Sequence, residues 1–116
     1  MPHVHCLTSR ELDAKSEETF KAAVAAALAE LAAKPENYLF VSIDAGKHLF
    51  VRGQRSPGAV LQVSLVGTLG KAIKKELSVR FCRICQETMG VPMEAVYIVF
   101  NEVPGENWGW SGGTFG

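Results

Sequence analysis

Apolar and polar residues alternate at the start of the chain. In His3-Val4-His5-Cys6-Leu7 the period of two predicts a strand with Val4 and Cys6 on one face and both histidines on the other. Phe20, Val24, Ala27, Leu28 and Leu31 then fall on one stripe at helical spacing. A long helix is predicted there, opening between Asp13 and Ser16, whose side chains offer N-cap oxygens. Glu17 and Glu18 occupy its first turn, where the helix dipole favours carboxylates. Pro35 stops it, with Lys34 as its last residue. Tyr38-Leu39-Phe40-Val41-Ser42-Ile43 is almost continuously apolar, which predicts a strand covered on both faces. Ala45-Gly46 turns the chain into a short strand around His48 to Val51, and Gly53 to Gly58 is a loop by composition. Ala59 to Val66 is a further strand. Ile73, Leu77, Phe81, Ile84 and Cys85 stripe a second helix that Gly90 caps, and Ala95 to Phe100 is the last long strand. The tail from Pro104 to Gly116 holds both tryptophans and no periodicity long enough to fold by itself.

The pattern repeats with an offset of 57 residues. Pro35 maps onto Pro92, Phe20 onto Leu77, Val24 onto Phe81, Leu28 onto Cys85, Phe40 onto Tyr97 and Pro2 onto Ala59. One domain over residues 1–116 is therefore predicted, built from pseudo-repeats of about 1–57 and 58–116, each a β-α-β unit with a right-handed crossover. The fold class is α+β in two layers: a four-stranded mixed sheet with both helices on one face. The other face carries apolar residues of the Phe40 and Val63 strands and has nothing in the chain to cover it. That surface is too apolar for a monomer and predicts assembly around a ring, the short strands and aromatic tail pairing onto neighbours.

Charge and cysteine content narrow the function. Lys+Arg and Asp+Glu number 12 each, so no net charge draws the chain to nucleic acid or an anionic membrane. Lys71, Lys74, Lys75, Arg80 and Arg83 are interleaved with apolar residues as on a solvated helix face. No apolar run approaches a membrane span, and the first residues lack the layout of a signal peptide. Three cysteines without an export signal predict reduced thiols in the cytoplasm. Cys82 and Cys85 form C-x-x-C within a helical pattern, where two core-facing thiols are a better reading than a redox pair. His3-x-His5 puts two imidazoles on one side, but no further ligand cluster completes a metal site.

Met1-Pro2 carries the sharpest candidate chemistry. Aminopeptidases remove an initiator Met that precedes a small residue, which leaves Pro2 as a terminal secondary amine held rigid by its ring. A free α-amino group titrates at about 7.7–8.0, and an apolar pocket or a nearby cation lowers that value further. The neutral amine is then a general base.

The duplicated β-α-β plan, Pro2 behind Met1, Lys34-Pro35 with Tyr38 close behind, Val96-Tyr97-Ile98 and the ending Asn107-Trp108-Gly109-Trp110-Ser111-Gly112-Gly113-Thr114-Phe115 resemble the macrophage migration inhibitory factor family of the tautomerase superfamily over the whole chain. The resemblance implies a homotrimer with active sites at subunit interfaces and no cofactor. It also implies keto–enol tautomerisation of phenylpyruvate-like 2-oxo acids or dopachrome derivatives. Pro2 would be the base and Lys34 would hold the substrate carboxylate. The backbone N–H of Val66 would donate to the same end of the substrate, and Tyr97 would come from the neighbouring subunit. Tyr38, Trp108, Trp110 and Phe115 would form the walls.

Read without that resemblance, Lys34 is a helix-end lysine, Tyr97 a strand aromatic, and Trp110 and Phe115 are interface anchors. The chain also departs from the family pattern. Val99 stands where an Asn is usual, and His3 replaces an apolar residue beside the proline. The Cys-x-x-Cys of some relatives falls on Gly58 and Leu61, and Ser64-Leu65-Val66-Gly67 matches loosely. The second function class is a cytokine-like protein, secreted without a signal peptide, whose pocket is a relic with weak or vestigial tautomerase activity or a docking site for a protein receptor.

Overall fold

The computed structural model describes residues 1–116. Strand β1 (Pro2–Thr8) leads into helix α1 (Ala14–Ala32), followed by strand β2 (Phe40–Asp44) and a hairpin of β3 (Phe50–Val51) and β4 (Gln54–Arg55). Strand β5 (Ala59–Val66), helix α2 (Lys71–Met89) and strand β6 (Val96–Val103) repeat the plan, and a second hairpin of β7 (Gly109–Trp110) and β8 (Gly113–Thr114) closes the chain. Ala14 and Lys71 open the two helices 57 residues apart, and Ala32 and Met89 close them at the same offset.

Four strands form one mixed sheet in the order β2-β1-β5-β6. The central pair, β1 and β5, is antiparallel, and each outer strand runs parallel to its neighbour. Alternation along β1 and β5 decides the layers. Pro2, Val4, Cys6 and Thr8, with Ala59, Leu61, Val63 and Leu65, are buried under the helices. Phe20, Val24, Ala27 and Leu28 of α1 and Leu77, Phe81, Ile84 and Cys85 of α2 complete that core. Both helices thus lie on one face of the sheet, as the stripes predict.

The ends of the helices explain two departures from the sequence reading. Asp13 caps α1, its carboxylate accepting from Ser16 N–H at 2.7 Å. At the other end Lys34 is not the last helical residue. A residue before proline is disfavoured in the α region, so the helix stops at Ala32 and Ala33 turns left-handed at φ 54°. Lys34 N–H then reaches back to Leu28 C=O at 3.1 Å. Gly90 does the same for α2 at φ 67°, with Val91 N–H on Cys85 C=O at 3.4 Å. Pro35 also starts one 3-10 turn over Glu36–Tyr38, so Tyr38 lies before the strand rather than in it.

Strand β2 is an edge strand with one open face, not a strand covered on both, and Phe40 is 63% exposed. The short strand expected around His48 to Val51 is present as β3, while its hairpin partner β4 and the hairpin of the tail are additions to the sequence reading. Each hairpin turns through two left-handed residues, Arg52-Gly53 and Ser111-Gly112, the geometry that matches the twist of paired strands. Strand β6 runs three residues beyond Phe100. Glu102 holds that extension, its carboxylate accepting from Leu69 N–H at 2.6 Å and from Lys74 Nζ at 2.8 Å. Lys74 and Arg80, which pairs with Glu30 at 2.8 Å, are thereby committed to ion pairs. No helix is long and apolar enough to cross a membrane.

The open face of the sheet is mixed in character. Cross-strand rows place His3 with Phe40, Ser64 and Asn101, then His5 with Ser42, Gln62 and Val99, then Leu7 with Asp44, Val60 and Tyr97. Phe40, Val60, Val99 and Tyr97 supply apolar surface, and a polar band crosses its middle.

Candidate functional site

A cavity of about 210 Å³ opens at the start of β1. Met1, Pro2, His3, Phe40, Trp108, Gly109 and Trp110 line it. Pro2 begins β1 opposite Leu65, with its ring buried in the core, so its nitrogen is fixed by the sheet and not by a mobile terminus. Parallel register sets Phe40 beside His3, and the turn before β7 carries both tryptophans in from the tail. Phe115 stacks on Trp110 with centroids 6.1 Å apart and planes inclined by 16°. Phe115 N–H donates to Trp108 C=O at 3.3 Å and to Gly105 C=O at 3.1 Å, which ties the tail into one aromatic wall.

The terminal amine in this cavity is that of Met1. Burial holds its pKa below the ordinary 8.0, and the positive charge of Lys34 lowers it further. Both causes disfavour the ammonium and leave a larger neutral fraction at a given pH. Cleavage of Met1 would make the Pro2 nitrogen, one residue along, the terminal amine.

Pro2, His3, Trp108 and Trp110 are thus brought together, with Lys34 close enough to act on the amine. Val66 ends β5 one residue beyond Leu65, the partner of Pro2. Tyr38, 46% exposed at the end of its 3-10 turn, and Phe115 stand outside the lining, Phe115 behind Trp110. Tyr97 is not at this cavity. It lies in the row of Leu7, four residues along the strand from His3, or about 13 Å at the usual rise. There it is 74% exposed and lines a different cavity of about 200 Å³ with Leu49, Val51, Arg52, Ala59 and Val60. Met1, Phe40 and Gly109 are the lining residues absent from the sequence-derived set, and of these Phe40 is the one from another strand of the four-stranded sheet. Its pairing with His3 was the missing signal, since it needs the register of two strands separated by a helix.

The polar band beside the cavity forms a chain of hydrogen bonds. Ser42 Oγ lies 2.8 Å from His3 Nε2 and 2.6 Å from His5 Nδ1. His5 Nε2 stands 3.5 Å from Asp44 Oδ2. No three His, Cys, Asp or Glu side chains are grouped to hold a metal ion. All three cysteines are free. Burial pushes the thiols of Cys6 and Cys85 up to about 12 and also raises that of half-buried Cys82.

Comparison with known proteins gives a consistent picture. The family model described as macrophage migration inhibitory factor matches residues 1–116. The macrophage migration inhibitory factor of Xenopus tropicalis is 31% identical over 88 residues, which is 76% of each chain. The crystal structure of a macrophage migration inhibitory factor homologue from Prochlorococcus marinus superposes with a TM-score of 0.90 at 30% identity, covering 98% of this chain and 99% of that one. That of a Leishmania major protein of the same name superposes with a TM-score of 0.92 at 23% identity, covering 99% and 97%.

Proposed function

Because this chain belongs to the macrophage migration inhibitory factor family, whose function is of the cytokine or tautomerase type, we propose that it is a cofactor-independent keto–enol tautomerase of phenylpyruvate-like 2-oxo acids, with the Pro2 amine as general base. The observation that carries this reading is the environment of the terminal amine. The Met1 amine is partly buried at an apolar cavity, burial and the charge of Lys34 both hold its pKa down, and removal of Met1 makes the adjoining Pro2 nitrogen the terminal amine. A neutral amine at a fixed position is what abstraction of a proton next to a carbonyl requires.

The rest of the cavity suits such a substrate. Lys34 attracts its carboxylate, the Val66 N–H donates to the same end, and Trp108 and Trp110, backed by Phe115 and Tyr38, enclose its ring. Removing the carbon-bound proton develops negative charge on oxygen. A cation and a fixed N–H stabilise that charge more strongly in a dry slot than in water. Tyr97 reaches the slot only from a neighbouring chain, because within its own chain the sheet holds it at the other end of the open face. A homotrimer with its sites between subunits meets that requirement. Dopachrome derivatives, with an aromatic body and a carboxylate, fit the same arrangement.

The test is ultraviolet-monitored ketonisation of enol-phenylpyruvate, with Met1 removal confirmed by intact mass, compared with Pro2→Gly. Turnover that falls at least ~100-fold in the variant supports the base assignment. Background rates in both proteins would refute it and make the receptor-binding, cytokine-like role the leading one.

A further inference from the structure

Pro2 accounts for the proton on carbon. A tautomerisation also moves a proton on oxygen, and the hydrogen-bond chain on the open face ends at the same cavity through His3. Its direction follows from counting donors. Asp44 accepts only, and its carboxylate, in ion-pair contact at 3.5 Å rather than in a hydrogen bond, favours the hydrogen on the His5 nitrogen facing it, Nε2. In neutral His5 the other nitrogen, Nδ1, is then bare and accepts from the single hydroxyl hydrogen of Ser42. With that hydrogen spent, Ser42 Oγ accepts from His3, so His3 carries its hydrogen on Nε2 and leaves Nδ1 bare. One carboxylate therefore fixes the tautomer of a ring two hydrogen bonds further on.

Resting on the tautomerase reading, we propose that His3 Nδ1 is the group that exchanges the proton on the substrate oxygen, and that Ser42, His5 and Asp44 are positioning residues that hold it in the accepting state. In ketonisation the protonated Pro2 amine gives its proton to the enol carbon. The enol O–H bond breaks to give the carbonyl, and its proton goes to His3 Nδ1. His3 is then an imidazolium whose Nε2–H stays on Ser42 Oγ, so no hydrogen bond in the chain has reversed. Water takes the proton from His3 Nδ1, which returns the ring to its accepting state, and another restores Pro2, so no co-reactant is consumed. The reverse sequence enolises the ketone.

The surroundings fit this use. The open face brings one other charged group to the chain, Lys47, whose Nζ is 3.9 Å from Asp44 Oδ1. Strand β5 presents Val60, Gln62 and Ser64 there, and β6 presents Tyr97, Val99 and Asn101. The order Ser42-His5-Asp44 resembles a nucleophile triad. Its serine is already shared with a second imidazole, and the nearby backbone N–H groups lie in the plane of the sheet, not above its face, so an acyl-transfer role has no oxyanion donor.

Two measurements on the Met1-processed protein test the proposal. Long-range nitrogen-15 correlation spectra are expected to show neutral His3 as the Nε2–H tautomer. Ser42→Ala and Asp44→Asn are expected to lose that preference, and Ser42→Thr to retain it. In ketonisation assays His3→Ala and Ser42→Ala are expected to lower kcat about 10-fold or more with KM changed less than about twofold, and Ser42→Thr to restore it. An Nδ1–H tautomer in the unaltered protein would overturn the proposal. So would unchanged kcat and pH profile in His3→Ala while Pro2→Gly abolishes turnover. Absence of turnover in the unaltered protein instead overturns the tautomerase reading and the catalytic half of this one, and the spectra still decide the direction of the chain.

Discussion

Ala33 and Gly90 occupy the same left-handed position, 57 residues apart, each one step past the end of its helix. The second half of the chain places glycine where the backbone demands it. The first half strains an alanine there, at roughly 1–2 kcal/mol for an L-residue. Glycine's greater loss of freedom on folding offsets about 0.5–1 kcal/mol of the relief. Ala33→Gly is therefore expected to stabilise the fold by about 0.5–1 kcal/mol, seen as a higher urea midpoint at unchanged slope. A lower midpoint would show that the left-handed turn is not strained.

Lys34 has two separable effects. Its charge lowers the pKa of the terminal amine, so Lys34→Ala raises that pKa. In the enolisation direction the base is active when neutral, so the acidic limb of the kcat/KM profile for enolisation moves to higher pH. Loss of the charged contact to the substrate carboxylate should cost a further 10- to 100-fold or so in kcat/KM, corresponding to about 1.5–3 kcal/mol. A limb that stays in place while kcat/KM falls would assign Lys34 to binding alone.

The buried thiols set an alkaline limit on stability. Cys6 and Cys85 titrate at about 12 in the folded chain, against an ordinary 9.0. Because the folded pKa is raised, the folded chain keeps its protons where the unfolded chain loses them. Their contribution is complete below pH 9 and is lost as pH rises from 9 towards 12. Urea midpoints measured at pH 7.5 and pH 10 should fall across that interval, and should fall less in Cys6→Ala. The native protein should also react with a thiol reagent far more slowly than the denatured one. Rapid formation of a Cys82–Cys85 disulfide under mild oxidant would contradict this.

The proposed trimer gives Tyr97 a role in assembly. Sedimentation equilibrium is expected to give three times the 12.6 kDa chain mass. Tyr97→Asp, at a side chain 74% exposed in the single chain, should dissociate the assembly without unfolding the subunit, as judged by far-ultraviolet circular dichroism. A trimer that persists in this variant, with unchanged turnover, would remove Tyr97 from both the interface and the site.

Sequence alone carried the helices, the central strands and the two-layer plan, because periodic burial and capping are written locally. The stripe from Ile73 to Cys85 and the cap at Gly90 needed nothing distant. Lys34 was misplaced because the steric effect of Pro35 acts one residue upstream, on a segment whose composition still favours helix. Tyr38 was drawn into a strand because its apolar neighbours mask a single turn set by the same proline. Pro2 could be selected from the start of the chain, and His3, Trp108 and Trp110 through the family resemblance. Phe40, Ser42 and Asp44 could not be joined to them, because only the parallel register of β1 and β2 puts them beside the histidines.

The 57-residue offset extends to the cavities. Pro2, His3 and Phe40 line one, and their counterparts Ala59, Val60 and Tyr97 line the other. The second cavity has the same scaffold with the amine, the imidazole and the hydrogen-bond chain deleted. In the proposed trimer, three subunits make, at the level of half-chains, a ring of six in which armed and blank positions alternate. Each blank position would lend its aromatic residue to an armed neighbour, so that one half of the duplication would carry the chemistry and the other would serve as part of the vessel.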